Sequence, residues 1–361
     1  MNFQTFKNKT VLITGHTGFK GSWLAIWLHS LGAKVVGVAL DPPSVPSLFE
    51  VTNLHEIIED FHLDIREGDD LKELVMQVNP DFVFHLAAQA LVRQSYIDPV
   101  ETYQTNVLGT INLLEAMRPI RKPCTAILIT SDKSYENVDS IWGYRENDSL
   151  GGSDPYSASK SASELLIRSH VRSFFPKNGH IRIAVGRAGN VIGGGDWGSD
   201  RIVPDCVRSW EKGEIVKIRN PQSIRPWQHV LESLSGYLIL SIKLSQLREL
   251  HGEPFNFGPQ NLRKYSVIQL VQSMSLYWDQ VSWEDNPKDE KQPYESGSLK
   301  LNSNKAYHYL NWQTVLNFKE TVKFTADWYK NYYTDPQNIL KYTTNQIEEY
   351  TLIAKNMDIS K

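Results

Sequence analysis

The chain has 361 residues, 41% hydrophobic and 11% aromatic, enough for a packed core of one large or two moderate domains and too apolar for a disordered chain. Its 38 basic and 41 acidic residues are interspersed and leave a formal charge of −3, so no basic face marks it for nucleic acid or an anionic membrane surface. Two cysteines, Cys124 and Cys206, exclude a disulfide framework and a cysteine-rich zinc site, and no metal is expected.

In chain order, MNFQTFKNKTVLITG reaches its first apolar strand at Val11 without the charged and apolar regions of a signal peptide. No apolar run approaches the length of a membrane span, so a cytoplasmic location is expected. Strand-like TVLIT, KVVGVAL, DFVFHLAA, TAILIT and IRIAVGR then alternate with helices around SWLAIWLHSLG and VLGTINLLEAM and a helix after YSASK. The alternation predicts an α/β fold, a Rossmann-type doubly wound parallel sheet over residues 1–187. After Arg187 the rhythm breaks into GNVIGGGDWGSDRIVPD, the short strand EIVKIRN and an amphipathic piece around FKETVKFTADWYKN. These predict a smaller α/β substrate-binding lobe over 188–335, with segments around 225–255 returning to the first domain, and then a C-terminal tail over 336–361.

TGHTGFKG joins the first strand to the first helix and spaces Gly15, Gly18 and Gly21 as G-x-x-G-x-x-G. Gly15 suits a tight turn, Gly18 close approach of a pyrophosphate, and Gly21 close packing of a helix whose N-terminus faces the phosphates. Thr17, Phe19 and Lys20 complete the loop, Lys20 either as a cation for the pyrophosphate or as a solvated side chain. Asp41 follows Gly21 by 20 residues at the end of the second strand, where a carboxylate accepts from ribose hydroxyls and repels a 2′-phosphate. The cofactor expected is therefore NAD. Asp64 and Ile65, and then Leu86, Ala87, Ala88 and Gln89, end further strands on the same side and are expected to border it.

TSDKSYEN leaves the strand TAILIT with Ser131, Asp132 and Lys133 in succession. DPYSASK supplies Tyr156 and Lys160 at i,i+4, on one face of a helix start, so that the ammonium favours the phenolate and lowers the tyrosine pKa toward that of a general base. Both groups should reach the carboxyl edge of the sheet beside the nicotinamide.

GHTGFKGSWL, HLAAQALVRQSY, TSDKSYEN, YSASK, GNVIGGGDWGSDRIVPD and RPWQHV together resemble the extended short-chain dehydrogenase/reductase family, and within it the nucleotide-sugar 4,6-dehydratases, over nearly the whole chain to about Tyr333. Two departures stand out. The wider family's loop usually reads G-G-A-G-F-I-G, which makes His16 and Lys20 subgroup marks, and related dTDP-glucose dehydratases carry Thr-Asp-Glu in place of Ser131-Asp132-Lys133.

The resemblance implies CDP-glucose as substrate and CDP-4-dehydro-6-deoxy-glucose as product, a precursor of O-antigen and other surface-polysaccharide deoxyhexoses. It implies that Tyr156 takes the 4-hydroxyl proton, Ser131 orients that hydroxyl and protonated Asp132 serves the departing 6-hydroxyl. For the base at C5, either Lys133 acts as a neutral amine, favoured by desolvation and Lys160, or it stays charged and stabilises the enolate while Asp132 or a water is the base. Asn190 and Arg225 match positions that contact the nucleotide diphosphate, and Arg201 is a further candidate. A homodimer formed through the helices after Pro99 and Tyr156 is also implied. A 4-epimerase would share the loop, Asp41, Tyr156 and Lys160 without needing Asp132 and Lys133. The same motifs would also suit a dehydratase of dTDP- or GDP-sugars, and the cofactor loop by itself would suit a non-catalytic regulator that binds NAD.

Overall fold

The computed structural model describes residues 3–259, 265–285 and 299–359. Its centre is a seven-stranded sheet of β1 (Thr10–Thr14), β2 (Lys34–Ala39), β3 (Glu59–His62), β4 (Phe82–His85), β5 (Cys124–Ile129), β6 (Ile181–Ala188) and β7 (Pro254–Phe257), in spatial order β7-β6-β5-β4-β1-β2-β3. Every neighbouring pair is parallel, and the order reverses direction at β1 and β4. This is the doubly wound Rossmann-type arrangement expected from the alternating runs.

The strands read as near-continuous apolar runs because both faces are covered. One face packs α1 (Phe19–Ser30) and, later in the chain, the long Val230–Gln246 helix; the other packs α2 (Gly68–Val78), α3 (Gly109–Met117) and α4 (Pro155–Phe174). Register brings the carboxyl ends together: Thr14 lies opposite Val38 and His85, His85 opposite Leu128, and Ile129 opposite Gly186. Loops leaving β1, β2, β4, β5 and β6 therefore open on one edge.

Past β6 the strands shorten to pairs: Val191–Ile192 with Gln228–His229, Ile224–Arg225 with Tyr265–Ser266, and Val216–Ile218 with Trp283–Asp285. The helices Ile202–Glu211 and Val267–Ser275 pack with them. Between these pieces the chain returns to the sheet, through Val230–Gln246 and then β7.

The segment read as a C-terminal tail is a helix, Ile339–Ile359, with Ile339, Ile347, Tyr350 and Ala354 buried. It packs against the Phe318–Thr334 helix and against α1, whose residues 21–28 are wholly buried because α1 is sandwiched between the sheet and this helix. Trp27 meets Tyr350 edge to face at 5.8 Å. The Tyr350 hydroxyl donates to Glu232 at 2.8 Å, whose carboxylate also accepts from the backbone N–H groups of Val315 and Leu316. Polar residues are interspersed with apolar ones throughout the helix sequence, so composition alone does not mark its buried stripe. Tyr350→Ala is expected to cost about 3–5 kcal/mol, since it leaves a cavity against Trp27 and removes a donor to Glu232. Urea unfolding should show this as a lower midpoint with an unchanged slope.

Candidate active site

One cavity of about 950 Å³ runs along the carboxyl edge of the sheet and continues under the short-stranded part. It is lined by every candidate catalytic and binding residue named from the sequence, from Gly15 to Arg225.

The glycine loop forms its floor. Gly15 has φ of +79°, and a Cβ there would stand 2.6 Å from the Ala87 backbone nitrogen; one on Gly21 would stand 2.1 Å from the Gly15 carbonyl oxygen. Loop, Leu86–Ala87 backbone and the first turn of α1 are thus in direct contact, with room for no side chain between them. The Thr17 hydroxyl donates to the Leu40 carbonyl at 2.9 Å and ties the loop to the end of β2. His16 is buried away from the cavity, with Nε2 2.7 Å from Asp60 on β3. Gly37 is its complement, because a Cβ there would fall 2.3 Å from the imidazole.

A cradle of this shape, backbone against backbone below a helix N-terminus, suits a dinucleotide pyrophosphate. At the far end Asp41 is 91% exposed at the rim, 3.3 Å from His62, and free to turn toward a ribose. Asp64 is already engaged: its carboxylate accepts from Arg66 Nε at 2.8 Å and from the Arg66 backbone at 2.9 Å. Burial opposes its charge, but these Arg66 contacts hold it below the usual carboxylate range. Ile65 is buried beneath it against α3.

The polar cluster follows from two elements. Thr130 and Ser131 leave β5; Ser131 caps a single 3₁₀ turn, Asp132–Ser134, by accepting from the Lys133 N–H at 3.2 Å. Helix α4 starts under an Asp154 cap with Pro155 at its first position, which places Tyr156 and Lys160 on the face toward that turn. The Ser131 hydroxyl donates to Asp132 Oδ1 at 3.0 Å. Burial raises the Asp132 pKa, against the pull of Lys133, Ser131 and Lys20, so this carboxyl favours its protonated form more than an ordinary aspartate.

Burial also pushes the Tyr156 phenol up to about 12, with the Ser131 hydrogen bond and Arg201 pulling it back and Asp132 and Asp154 pushing it further. This corrects the expectation that Lys160 lowers it. The Lys160 ammonium lies over the ring, 5.9 Å from its centroid, and the cost of burying a phenolate dominates. Burial lowers Lys160 itself to about 8, helped by Lys20 and opposed by Glu164. Lys20, half-buried, is lowered to about 8 by burial, against Asp132 and with Arg201. Its electrostatic partners are thus Asp132 of the polar cluster and Arg201 beyond β6. Lys133 lines the same cavity and is half-buried, so the desolvation expected for it is only partial.

Of the candidates beyond β6, Arg201 donates to the buried Asp196 at 2.8 Å, Arg225 is half-buried and donates to the Ile224 carbonyl at 3.0 Å, and Asn190 is exposed at the cavity wall. Sequence reasoning missed their strongest neighbours. Arg93 and Arg219 meet on Asp200 Oδ1 at 3.1 and 2.8 Å, joining the short Val92–Ile97 helix after β4 to the short-stranded part. It also missed Asn106, which sits in a π-helical turn, Gln104–Leu108. Asn106 accepts from the Gln89 N–H at 2.9 Å and donates to Ser159 on α4 at 2.8 Å. Such turns often mark functional positions but have no sequence signature.

The model of the family described as GDP-mannose 4,6 dehydratase matches residues 12–325. A CDP-glucose 4,6-dehydratase of Salmonella typhimurium is 44% identical over 350 residues, covering 96% of this chain and 97% of that one. A UDP-glucose 4-epimerase of Mycoplasma genitalium is 24% identical, covering 90% and 97%. Among solved structures, an epimerase of Methanothermobacter thermautotrophicus superposes with a TM-score of 0.80 at 22% identity, covering 93% and 96%, which shows a shared fold.

Gly21→Ala forces the loop off the Gly15 carbonyl and is expected to weaken NAD binding at least about tenfold, roughly 1.4 kcal/mol, in a fluorescence titration.

Proposed function

The chain belongs to the GDP-mannose 4,6 dehydratase family of extended short-chain dehydrogenases/reductases, and we propose that it is an NAD-dependent hydro-lyase converting CDP-glucose to CDP-4-dehydro-6-deoxy-glucose. The observation carrying this reading is the convergence of Ser131, Asp132, Lys133 and Tyr156 with the glycine loop in one cavity. An epimerase needs Tyr156 and the cofactor but not an acid with a raised pKa beside them. The 44% identity to a protein named for CDP-glucose supports the choice of nucleotide.

Bound NAD supplies a hydride acceptor for C4 and, once reduced, the donor that returns hydride to C6. Tyr156, in its phenolate form beside the Lys160 cation, takes the proton of the 4-hydroxyl that Ser131 orients. The ketone left at C4 acidifies the C5 proton, which Lys133 removes, and a proton exchanged with solvent returns to C5 as hydride reaches C6. Asp132, whose protonated form burial favours, gives a proton to the 6-hydroxyl so that water leaves. The substrate diphosphate is held by Arg225, Arg201 and Asn190, with Arg93 and Arg219 as added cations. Lys20 and the glycine loop hold the cofactor pyrophosphate, Asp41 its adenosine ribose, and Asp64, Ile65 and Leu86–Gln89 border its rings.

The same reading includes a homodimer and a cytoplasmic location. Val100 and Leu108, in the segment leading into α3, are 64% and 50% exposed, and Leu165 on the adjoining α4 is 48% exposed. Apolar side chains on neighbouring helices of this kind suit a two-fold, four-helix contact. Among the described residues no helix is long and apolar enough to cross a membrane.

With CDP-glucose in heavy water, mass spectrometry is expected to show loss of one water and gain of one deuterium. Asp132→Asn should lower kcat about 10²- to 10⁴-fold while CDP still binds; an unchanged sugar mass with wild-type protein would favour epimerisation. The double change Leu108→Glu and Leu165→Glu is expected to halve the mass seen by light scattering, and a wild-type monomer would refute the dimer.

A further inference from the structure

Behind the cavity lies a buried ion pair that none of the steps above uses. Glu164 is on α4, one turn beyond Lys160, and Arg187 is on β6; both side chains are almost wholly buried, at 4% and 3% exposure. Arg187 grips the carboxylate twice, Nε to Oε1 at 2.7 Å and Nη2 to Oε2 at 2.9 Å. The Thr130 hydroxyl also donates to Glu164 Oε1. Arg187 Nη1 donates onward to the Tyr135 hydroxyl at 2.6 Å, which donates to Asn256 on β7 at 2.8 Å.

Thr130 and Tyr135 bracket Ser131, Asp132 and Lys133. The pair therefore touches both ends of the segment carrying one set of reacting groups and sits on the helix carrying the other. A buried ion pair seldom repays its desolvation in stability, so its place one turn from Lys160 calls for another reason. The charged and titratable groups facing Lys160 are Tyr156 and Glu164 from its own helix, Lys20 from α1 and His85 from β4. His85 is held neutral by burial and the Lys160 charge, which leaves Glu164 as the anion of the set.

We propose that Glu164 is a positioning residue: clamped by Arg187 and Thr130, its carboxylate supplies the fixed counter-charge of the Lys160 ammonium and locks the Ser131–Lys133 turn to the helix bearing Tyr156. The inference rests on the proposed role of Lys160 as a cation. Lys160, lowered to about 8, loses its proton as pH rises through that value, and without Glu164 it must do so at lower pH.

The test is the pH dependence of turnover, measured beside the pH midpoint for amine labelling of Lys160 read by mass spectrometry. Glu164→Gln is expected to move both the alkaline limb and the labelling midpoint down by about one pH unit, a tenfold change in the protonation constant. Glu164→Asp, which keeps the charge, should restore the midpoint at reduced kcat. Ser161→Ala removes a neutral contact between the same helix and turn, the 2.8 Å bond to the Ser134 carbonyl, and should leave the midpoint in place. If Glu164→Gln fails to fold with Arg187 unpaired, the double change Glu164→Gln and Arg187→Gln removes the counter-charge without stranding a cation, and the same shift is expected. A labelling midpoint unmoved in Glu164→Gln, or in the double variant where the single one does not fold, would overturn the inference. Failure of wild-type protein to dehydrate CDP-glucose would overturn the functional reading instead, with the labelling midpoint still deciding the role of Glu164.

Discussion

Burial of a parallel sheet on both faces is the constraint from which the rest of this molecule follows. Parallel strands need crossovers, the crossovers are helices, and the helices cover the sheet so completely that polar groups can gather only at its ends. In this chain the aligned register of β1, β4, β5 and β6 makes one of those ends a continuous ledge. The phosphate loop, the Ser131–Lys133 turn and the start of α4 are successive exits onto it. Their proximity costs no special folding signal, because strand order alone brings them together.

Burial then sets the chemistry. Asp132, Tyr156, Lys20 and Lys160 are all moved from their ordinary protonation equilibria first by desolvation, and only second by one another. The result is an acid and a phenol whose uncharged forms burial favours, set among cations whose charge it weakens. Arg201 stays firmly charged, chiefly because Asp196 faces it, and the Arg93–Asp200–Arg219 group adds further cations at the end of the cavity toward the short strands. Charge is thereby sorted along the cavity: paired arginines toward the short strands, desolvated titratable groups toward the sheet.

The C-terminal helix and the Glu164–Arg187 pair show how much support lies outside the cavity. The first covers α1 through Trp27 and Tyr350, and so holds the helix whose N-terminus forms the cofactor cradle. The second joins α4, β5, β6 and, through Tyr135 and Asn256, β7. Both are buried polar or aromatic networks whose members lie far apart in sequence.

What the sequence determined by itself were the features with short range or strict period: the alternating strands and helices, the glycine spacing, the Tyr156–Lys160 pair and the run Ser131-Asp132-Lys133. Each is legible because a local rule, such as helix periodicity or the steric demand of a tight turn, fixes both residue type and spacing. Tertiary structure alone decided the direction of the Tyr156 shift, the reach of Lys20 toward Asp132, the partners of Glu164, Arg93 and Arg219, the π-turn at Asn106 and the buried stripe of the last helix. Those depend on depth of burial and on contacts between residues tens to more than a hundred positions apart, such as Glu232 and Tyr350. Composition and periodicity cannot encode them, because the same lysine or glutamate is a solvated side chain until the fold closes over it.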